Sequence, residues 1–205
     1  DSILEKLQNG EHQAILVMQM VEPAVKDTST AAELGITELV AETTSYYYGS
    51  AAARIQNIRA AAANFHGVMV GPGEVFSMAE YLTDISLDNG YAEAPIIYGD
   101  QTIQGIGGGI CQVSTTLFRA AFFAGFPINE RHAHSYRVGY YELLSNGARD
   151  PNLAGLDATV YVPFVDLKFT NDTDHWLLME TYVGSASLTW KFYSTNTGRT
   201  VDWHT

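Results

Sequence analysis

A single cysteine, Cys111, stands where three glycines, Gly107 to Gly109, give way to a helical pattern. Unpaired backbone N–H groups and the positive end of the peptide dipoles at a helix start favour a thiolate over a thiol. Glycines beside the sulfur carry no Cβ and let another chain come close. This is the setting of a nucleophile, although a lone cysteine also serves as a small buried hydrophobe. Three neighbouring features favour the nucleophile. Consecutive glycines such as Gly107, Gly108 and Gly109 cost backbone entropy in a packed core. Gln112, Ser114 and Thr115 put polar groups on the first turn of an otherwise apolar helix. Two histidines, His132 and His134, follow closely.

Cysteine catalysis needs a base within hydrogen-bond reach and a third group that orients the base. The chain order supplies Cys111 on a helix, His132 and His134 on a following strand-like segment, and Asp157 at the head of the next. Papain-like and transglutaminase-like cysteine enzymes share this helix-then-strands order. The two histidines are two apart, so a strand would point both the same way, and proximity does not choose between them. His12, His66, His175 and His204 have no comparable setting.

The elements that must hold these groups follow from periodicity. Val113, Leu117, Ala120, Ala121 and Ala124 recur at the spacing of one helical face. Phe118 and Phe122 form a second apolar stripe, and Arg119 is the only charge, so the helix is expected to be central. Gly125 and Pro127 stop it. Ile55, Ile58, Ala62 and Phe65 predict another buried helical face, closed by Gly67. Gly71-Pro-Gly-Glu74 is a tight turn. Residues 128–141 and the run opening at Gly155 read as strands, and 143–153 as a polar loop. Residues 166–170, 175–183 and 187–193 alternate as an antiparallel meander, with Leu188, Trp190 and Phe192 on one face. Ahead of these lie a helix end over 1–9 closed by Asn9-Gly10, a strand over 12–21, a short helix over 28–34 stopped by Gly35, and a strand over 39–48. The expected fold is α+β, a central buried helix carrying Cys111 at its N-terminus and packed on a largely antiparallel sheet. Residues 1–42 read as the tail of a preceding module and 43–205 as the main domain.

The 205 residues, 46% hydrophobic and 17% charged, can bury a proper core. A formal charge of −12 argues against a nucleic-acid partner, because phosphate binding needs basic patches. One cysteine allows no internal disulfide and no Cys-His zinc cluster, so neither metal nor other cofactor is expected. No apolar run approaches membrane-spanning length, and Asp1 does not open a signal peptide. The first residues read as the middle of something larger, with any anchor or secretion signal upstream.

Several stretches together resemble the VanW-like domain family, named after an accessory protein of a vancomycin-resistance cluster. They are Gly107-Gly-Gly-Ile-Cys-Gln-Val-Ser-Thr-Thr-Leu117, Glu130-Arg131 with His134-Ser135, and Gly155-Leu-Asp-Ala-Thr-Val160. Arg54 with Asn57-Ile58, Pro72-Gly-Glu74 with Phe76-Ser77, Gly90-Tyr91, and Asp166-Leu167 with Asn171 extend the match over roughly residues 43 to 193. Residues 1–42 resemble the end of the peptidoglycan-binding domain that often precedes this one. The resemblance implies extracellular work on the bacterial cell wall, with peptidoglycan stem peptides as partner. Some members are L,D-transpeptidases that use the motif cysteine. Carried over, Cys111 attacks the third stem residue, D-alanine leaves, and an amine of another stem resolves the thioester into a 3–3 cross-link. His134 matches the family's histidine and becomes the base, with Asp157 as its orienter. Backbone N–H groups at the Gly109 to Gln112 turn would form the oxyanion hole, with Gly108, Gly109 and Gln112 against the substrate. Arg131 and Arg54 would hold a stem carboxylate, unless ion pairs to Glu130 or Glu74 occupy them; Ser114 and His132 would face the substrate. The alternatives are a non-catalytic wall-binding module and a cysteine peptidase or amidase that hydrolyses stems.

Overall fold

The computed structural model describes all residues except 1, 11, 12, 14–17, 83, 100 and 205, with the side chain of Ser2 also left aside. The chain forms two compact units, Asp1–Thr30 and Ala31–Thr205. In the first unit, α1 (Ser2–Gln8) closes at the Asn9-Gly10 turn, where Gly10 takes φ 74°. The strand expected over 12–21, with His12, falls mostly outside the described residues.

In the second unit every paired strand is antiparallel. The expected short helix over 28–34 is instead a turn over 31–35. Ile36 N–H bonds the Ala31 carbonyl and Gly35 N–H that of Ala32, which caps a single turn before a helix can propagate. The main sheet has the order β1 (Glu38–Tyr46), β9 (Ser187–Ser194), β8 (Leu177–Val183), β2 (Val68–Val70). Strict alternation along β9 sends Leu188, Trp190 and Phe192 inward, where all three are fully buried. A second sheet joins β3 (Val75–Ser77), β7 (Lys168–Thr170) and β6 (Ile128–Glu130). A separate hairpin pairs β4 (Glu93–Tyr98) with β5 (Gln101–Ile106). Between β3 and this hairpin lies the four-residue α3 (Met78–Tyr81).

The central helix, α4 (Ile110–Phe123), packs on β1 and β9, and α2 (Ala52–Ala63) packs against both α4 and β8. Gly125 at φ 78° ends α4: its N–H bonds the Phe122 carbonyl, and Phe126 N–H bonds that of Ala121. From Ile110 to Ala121 every residue of α4 is buried except Cys111.

That burial includes five polar residues of α4, and each is paired. Gln112 and Thr116 share the Ser45 hydroxyl of β1, at 2.7 and 2.5 Å. Ser114 donates to the Ala158 carbonyl at 2.6 Å, and Thr115 both donates to that carbonyl and accepts from the Ala158 N–H. Arg119 Nε donates to the Leu156 carbonyl at 2.6 Å. A buried polar group left unpaired costs about 1–3 kcal/mol, so these bonds fix segment 156–158 against the helix. Asp157 lies in the middle of that segment.

The strand expected over 128–141 shrinks to β6. Beyond it the chain makes one bridge, His132 to Thr159, and then irregular turns ending in a short 3-10 helix, Gly139–Glu142. The reason is local. The His134 N–H, which a ladder would use, donates to the Asp157 carboxylate instead.

Candidate functional site

Cys111 is the second residue of α4, half-buried, after Gly109 at φ 117°. Its sulfur lies 3.5 Å from Thr159 Oγ1 and 3.9 Å from the Val160 carbonyl oxygen. Both partners follow directly from the segment that α4 ties down. His134 is buried, and its ring packs at 5.2 Å, centroid to centroid, against Tyr141. Asp157 Oδ2 accepts from the His134 backbone N–H at 2.9 Å and also contacts Nδ1 of the ring. With Nδ1 held by the carboxylate, Nε2 is the nitrogen available to the sulfur.

Electrostatics couple the three groups. Burial raises the Cys111 thiol, but hydrogen bonding and charge from His134 outweigh it, so the thiol sits below its ordinary value. Burial likewise opposes the imidazolium, yet hydrogen bonds to Asp157 and Cys111 hold His134 up at about 9. Asp157, raised by burial, is brought below the usual carboxylate range by the His134 bonds and the Arg131 charge. The shifts are mutual: His134 draws the thiol down, and Asp157 and Cys111 together hold the imidazole up.

Arg131 reinforces the carboxylate from behind. Its Nε donates to the Asp157 carbonyl at 2.6 Å, its Nη2 reaches the Gly155 carbonyl, and Asp157 Oδ1 lies 3.4 Å away. Arg54 bonds Ser50 and the Gln112 side chain, the latter at 2.8 Å, with its guanidinium 4.8 Å from the Tyr140 ring centre. Arg54, Gln112, Ser114 and Arg131 are therefore engaged inside the protein. The ion pairs to Glu130 and Glu74 weighed for the two arginines do not form. Gly108 and Gly109 are covered by the protein's own chain: a Cβ on Gly108 would meet the Pro95 carbonyl oxygen at 2.5 Å, and one on Gly109 the Arg54 carbonyl oxygen at 2.9 Å.

The two histidines, expected to share one face of a strand, part company. His132 is exposed, with Nε2 3.2 Å from Glu130, which also binds Lys168 at 2.9 Å. Thr159 and Tyr141 were not singled out from the sequence. Alternation from Asp157 puts Thr159 on the same face, a signal that could have found it; Tyr141 had none. A cleft of about 450 Å³ runs beside His134 and Asp157, with Ser135, Tyr141 and Gly155 among its walls. Among the described residues no His, Cys, Asp or Glu cluster has metal-binding geometry, and no helix is long and apolar enough to cross a membrane.

The family model described as VanW like protein matches residues 53–193. The chain belongs to the VanW-like family. This VanW-like chain is 33% identical over 155 residues to the uncharacterized protein YoaR of Bacillus subtilis, covering 75% of the chain and 48% of that protein. It is 28% identical over 124 residues to the vancomycin B-type resistance protein VanW of Enterococcus faecalis, covering 59% of the chain and 42% of that protein. The chain thus spans less than half the length of the curated relatives it matches. No solved structure matches it. The matched span contains Cys111, His134 and Asp157 with Arg131, Tyr141 and Thr159, while Ser45, which bonds Gln112, lies ahead of it.

Proposed function

We propose that this VanW-like domain is a cysteine acyltransferase of the bacterial cell wall, an L,D-transpeptidase acting on peptidoglycan stem peptides. The observation that carries the reading is a histidine held by Asp157 and coupled to Cys111, the half-open residue of an otherwise buried helix start, whose sulfur rests against Thr159. The helix-then-strands order resembles that of papain-like and transglutaminase-like enzymes, and the vancomycin-resistance name of one relative supports a wall substrate.

In this reading the Cys111 thiolate adds to the carbonyl carbon of the third stem residue. The first-turn amides of Ile110 and Gln112 bond the Gly107 and Gly109 carbonyls, so the oxyanion donor falls to the Cys111 N–H. The intermediate collapses by breaking the C–N bond to the terminal D-alanine, whose amine takes the His134 proton, leaving a thioester and neutral imidazole. An amine of a second stem then attacks the thioester, His134 removes its proton, and the thiolate departs. Asp157 holds the imidazole by Nδ1 throughout. Arg131, Arg54, Gln112 and Ser114 position these groups. The unit that ends at Thr30 closes a preceding wall-binding module, whereas residues 31–42, expected with it, belong to the main unit and lead into β1.

Intact-mass measurement after exposure to a disaccharide-tetrapeptide tests this. An adduct on Cys111 lacking the terminal D-alanine is expected, and none on Cys111→Ala. Protein retained on stem peptides but never modified would leave only a binding module. Free tripeptide stems in place of cross-linked dimers would make the enzyme a hydrolase.

A further inference from the structure

Three aromatic side chains beside the site face solvent: Tyr98, Tyr161 and Phe164 are 60%, 54% and 77% exposed. They form one array. Tyr161 and Phe164 stack, with centroids 5.9 Å apart and planes 24° from parallel, and Tyr98 meets Tyr161 edge-on at 6.4 Å. Exposed aromatic clusters on a domain with a complete core mark a contact surface.

Both supports of the array are closed by hydrogen bonds. The 161–165 loop is closed by reciprocal backbone bonds between Tyr161 and Val165, 2.9 and 2.8 Å, and by Phe164 N–H to the Tyr161 carbonyl at 2.7 Å. Tyr98 ends the fully paired β4–β5 hairpin. The tip of that hairpin is tied to the residues after His134: the Ser135 hydroxyl donates to the Gly99 carbonyl, and Tyr136 meets Thr102 at 3.1 Å. Rings held this way lose little freedom when something stacks on them. The array also adjoins the nucleophile, since Tyr161 directly follows Val160, whose carbonyl contacts the Cys111 sulfur.

We infer that Tyr98, Tyr161 and Phe164 form a platform for the amino-sugar backbone that carries the stem peptide. The inference rests on the wall-peptide reading above. A pyranose ring offers apolar C–H faces and polar edges, and this array offers flat ring faces with two phenol hydroxyls among them. Reach agrees: a stem extended through its third residue spans roughly 10 Å, so the sugar bearing it must lie close to Cys111. A net charge of −12 turns away nucleic acids and anionic bilayers, which would otherwise compete for exposed aromatics.

The test uses the Cys111→Ala chain and a peptide-free N-acetylglucosamine oligosaccharide, with binding followed by calorimetry and by NMR shifts of the aromatic residues. The saccharide should bind, and Phe164→Ala or Tyr98→Ala should weaken it at least about tenfold with the melting temperature unchanged. In the Cys111-containing chain the same substitutions should raise KM for a disaccharide-tetrapeptide and spare acylation by the sugar-free tetrapeptide. Absence of saccharide binding, or binding indifferent to both substitutions, overturns the platform. So does a dimer in sedimentation, or adhesion to lipid vesicles, that these substitutions abolish while saccharide binding stays. Saccharide binding in a protein that never forms the Cys111 adduct would keep the platform and remove the enzyme.

Discussion

On one side of Cys111 the chain turns through Gly107 to Gly109 beneath its own backbone; on the other the sulfur meets Thr159 and the Val160 carbonyl and is coupled to the buried His134, which Asp157 holds. The first side is saturated. Arg54 and Gln112 bond each other, and the Ala94 and Pro95 carbonyls lie against Gly108. The second side is poised, with three groups titrating away from their ordinary values because each depends on the next. One side decides where the sulfur stands and the other how it reacts. Damage to the first belongs in stability, and damage to the second in rate.

The most severe test of that division is His134→Ala. Thioester formation should fall at least about a hundredfold, the usual scale of losing a general acid–base group, while circular dichroism stays native. A modest loss of rate would mean that the imidazole is packing and the division is drawn in the wrong place. Gly108→Val should act in the opposite currency. Its branched side chain must push apart two backbone carbonyls, costing about 1–3 kcal/mol or more of stability, with reactivity per folded molecule held within a few-fold. The sequence alone suggests the reverse, a dead enzyme of normal stability, and a melting curve set beside an alkylation rate distinguishes them.

A pH profile sharpens the reactive side. Cys111 titrates below the ordinary thiol and His134 at about 9, so thiolate and imidazolium coexist between those two values. Alkylation of Cys111 should rise with pH through a value below that of an ordinary thiol and be level above it. Acylation by stem peptide should fall as pH passes about 9, where the proton destined for D-alanine is lost. In His134→Ala the alkylation rise should move up to or beyond about 8.5, the reference thiol value, because burial persists without the compensating cation. An unmoved rise would assign the lowered thiol to the helix terminus alone. The smallest effect belongs to His132→Ala, expected within about threefold of the parent rate, the range of an exposed side chain outside the reacting line. A dead His132→Ala would reverse the choice of histidine.

Much of the scaffold could be read from residue types. Val113, Leu117, Ala120 and Ala121 are all fully buried, as their spacing requires, and Gly125 ends α4 with paired carbonyls. The alternation of Leu188, Trp190 and Phe192 translated directly into a buried strand face. What could not be read was the destination of polar groups. Gln112, Ser114 and Arg131 look equally suited to a substrate or to a distant carbonyl, and only the fold reveals the Ser45, Ala158 and Asp157 partners. The strand expected through His132 and His134 failed for the same reason. Apolar periodicity cannot anticipate a carboxylate 23 residues away capturing a backbone N–H. The β5 half of the hairpin was hidden too, because Gln101 to Gln104 are polar or exposed and stand next to the glycines.

The ladder that joins β1 to β9 starts with Glu38 opposite Ser194, so the chain enters the sheet beside the point where it leaves. Tension applied across the two flanks would load this ladder one rung at a time, as a zipper is opened, and not along its whole length in shear. Under such tension the domain would give way first at Glu38, at the end of the sheet, with strand separation travelling inward toward Ser45 and its bond to Gln112. Mechanical load would then reach the helix that carries the cysteine only after the outer rungs had parted.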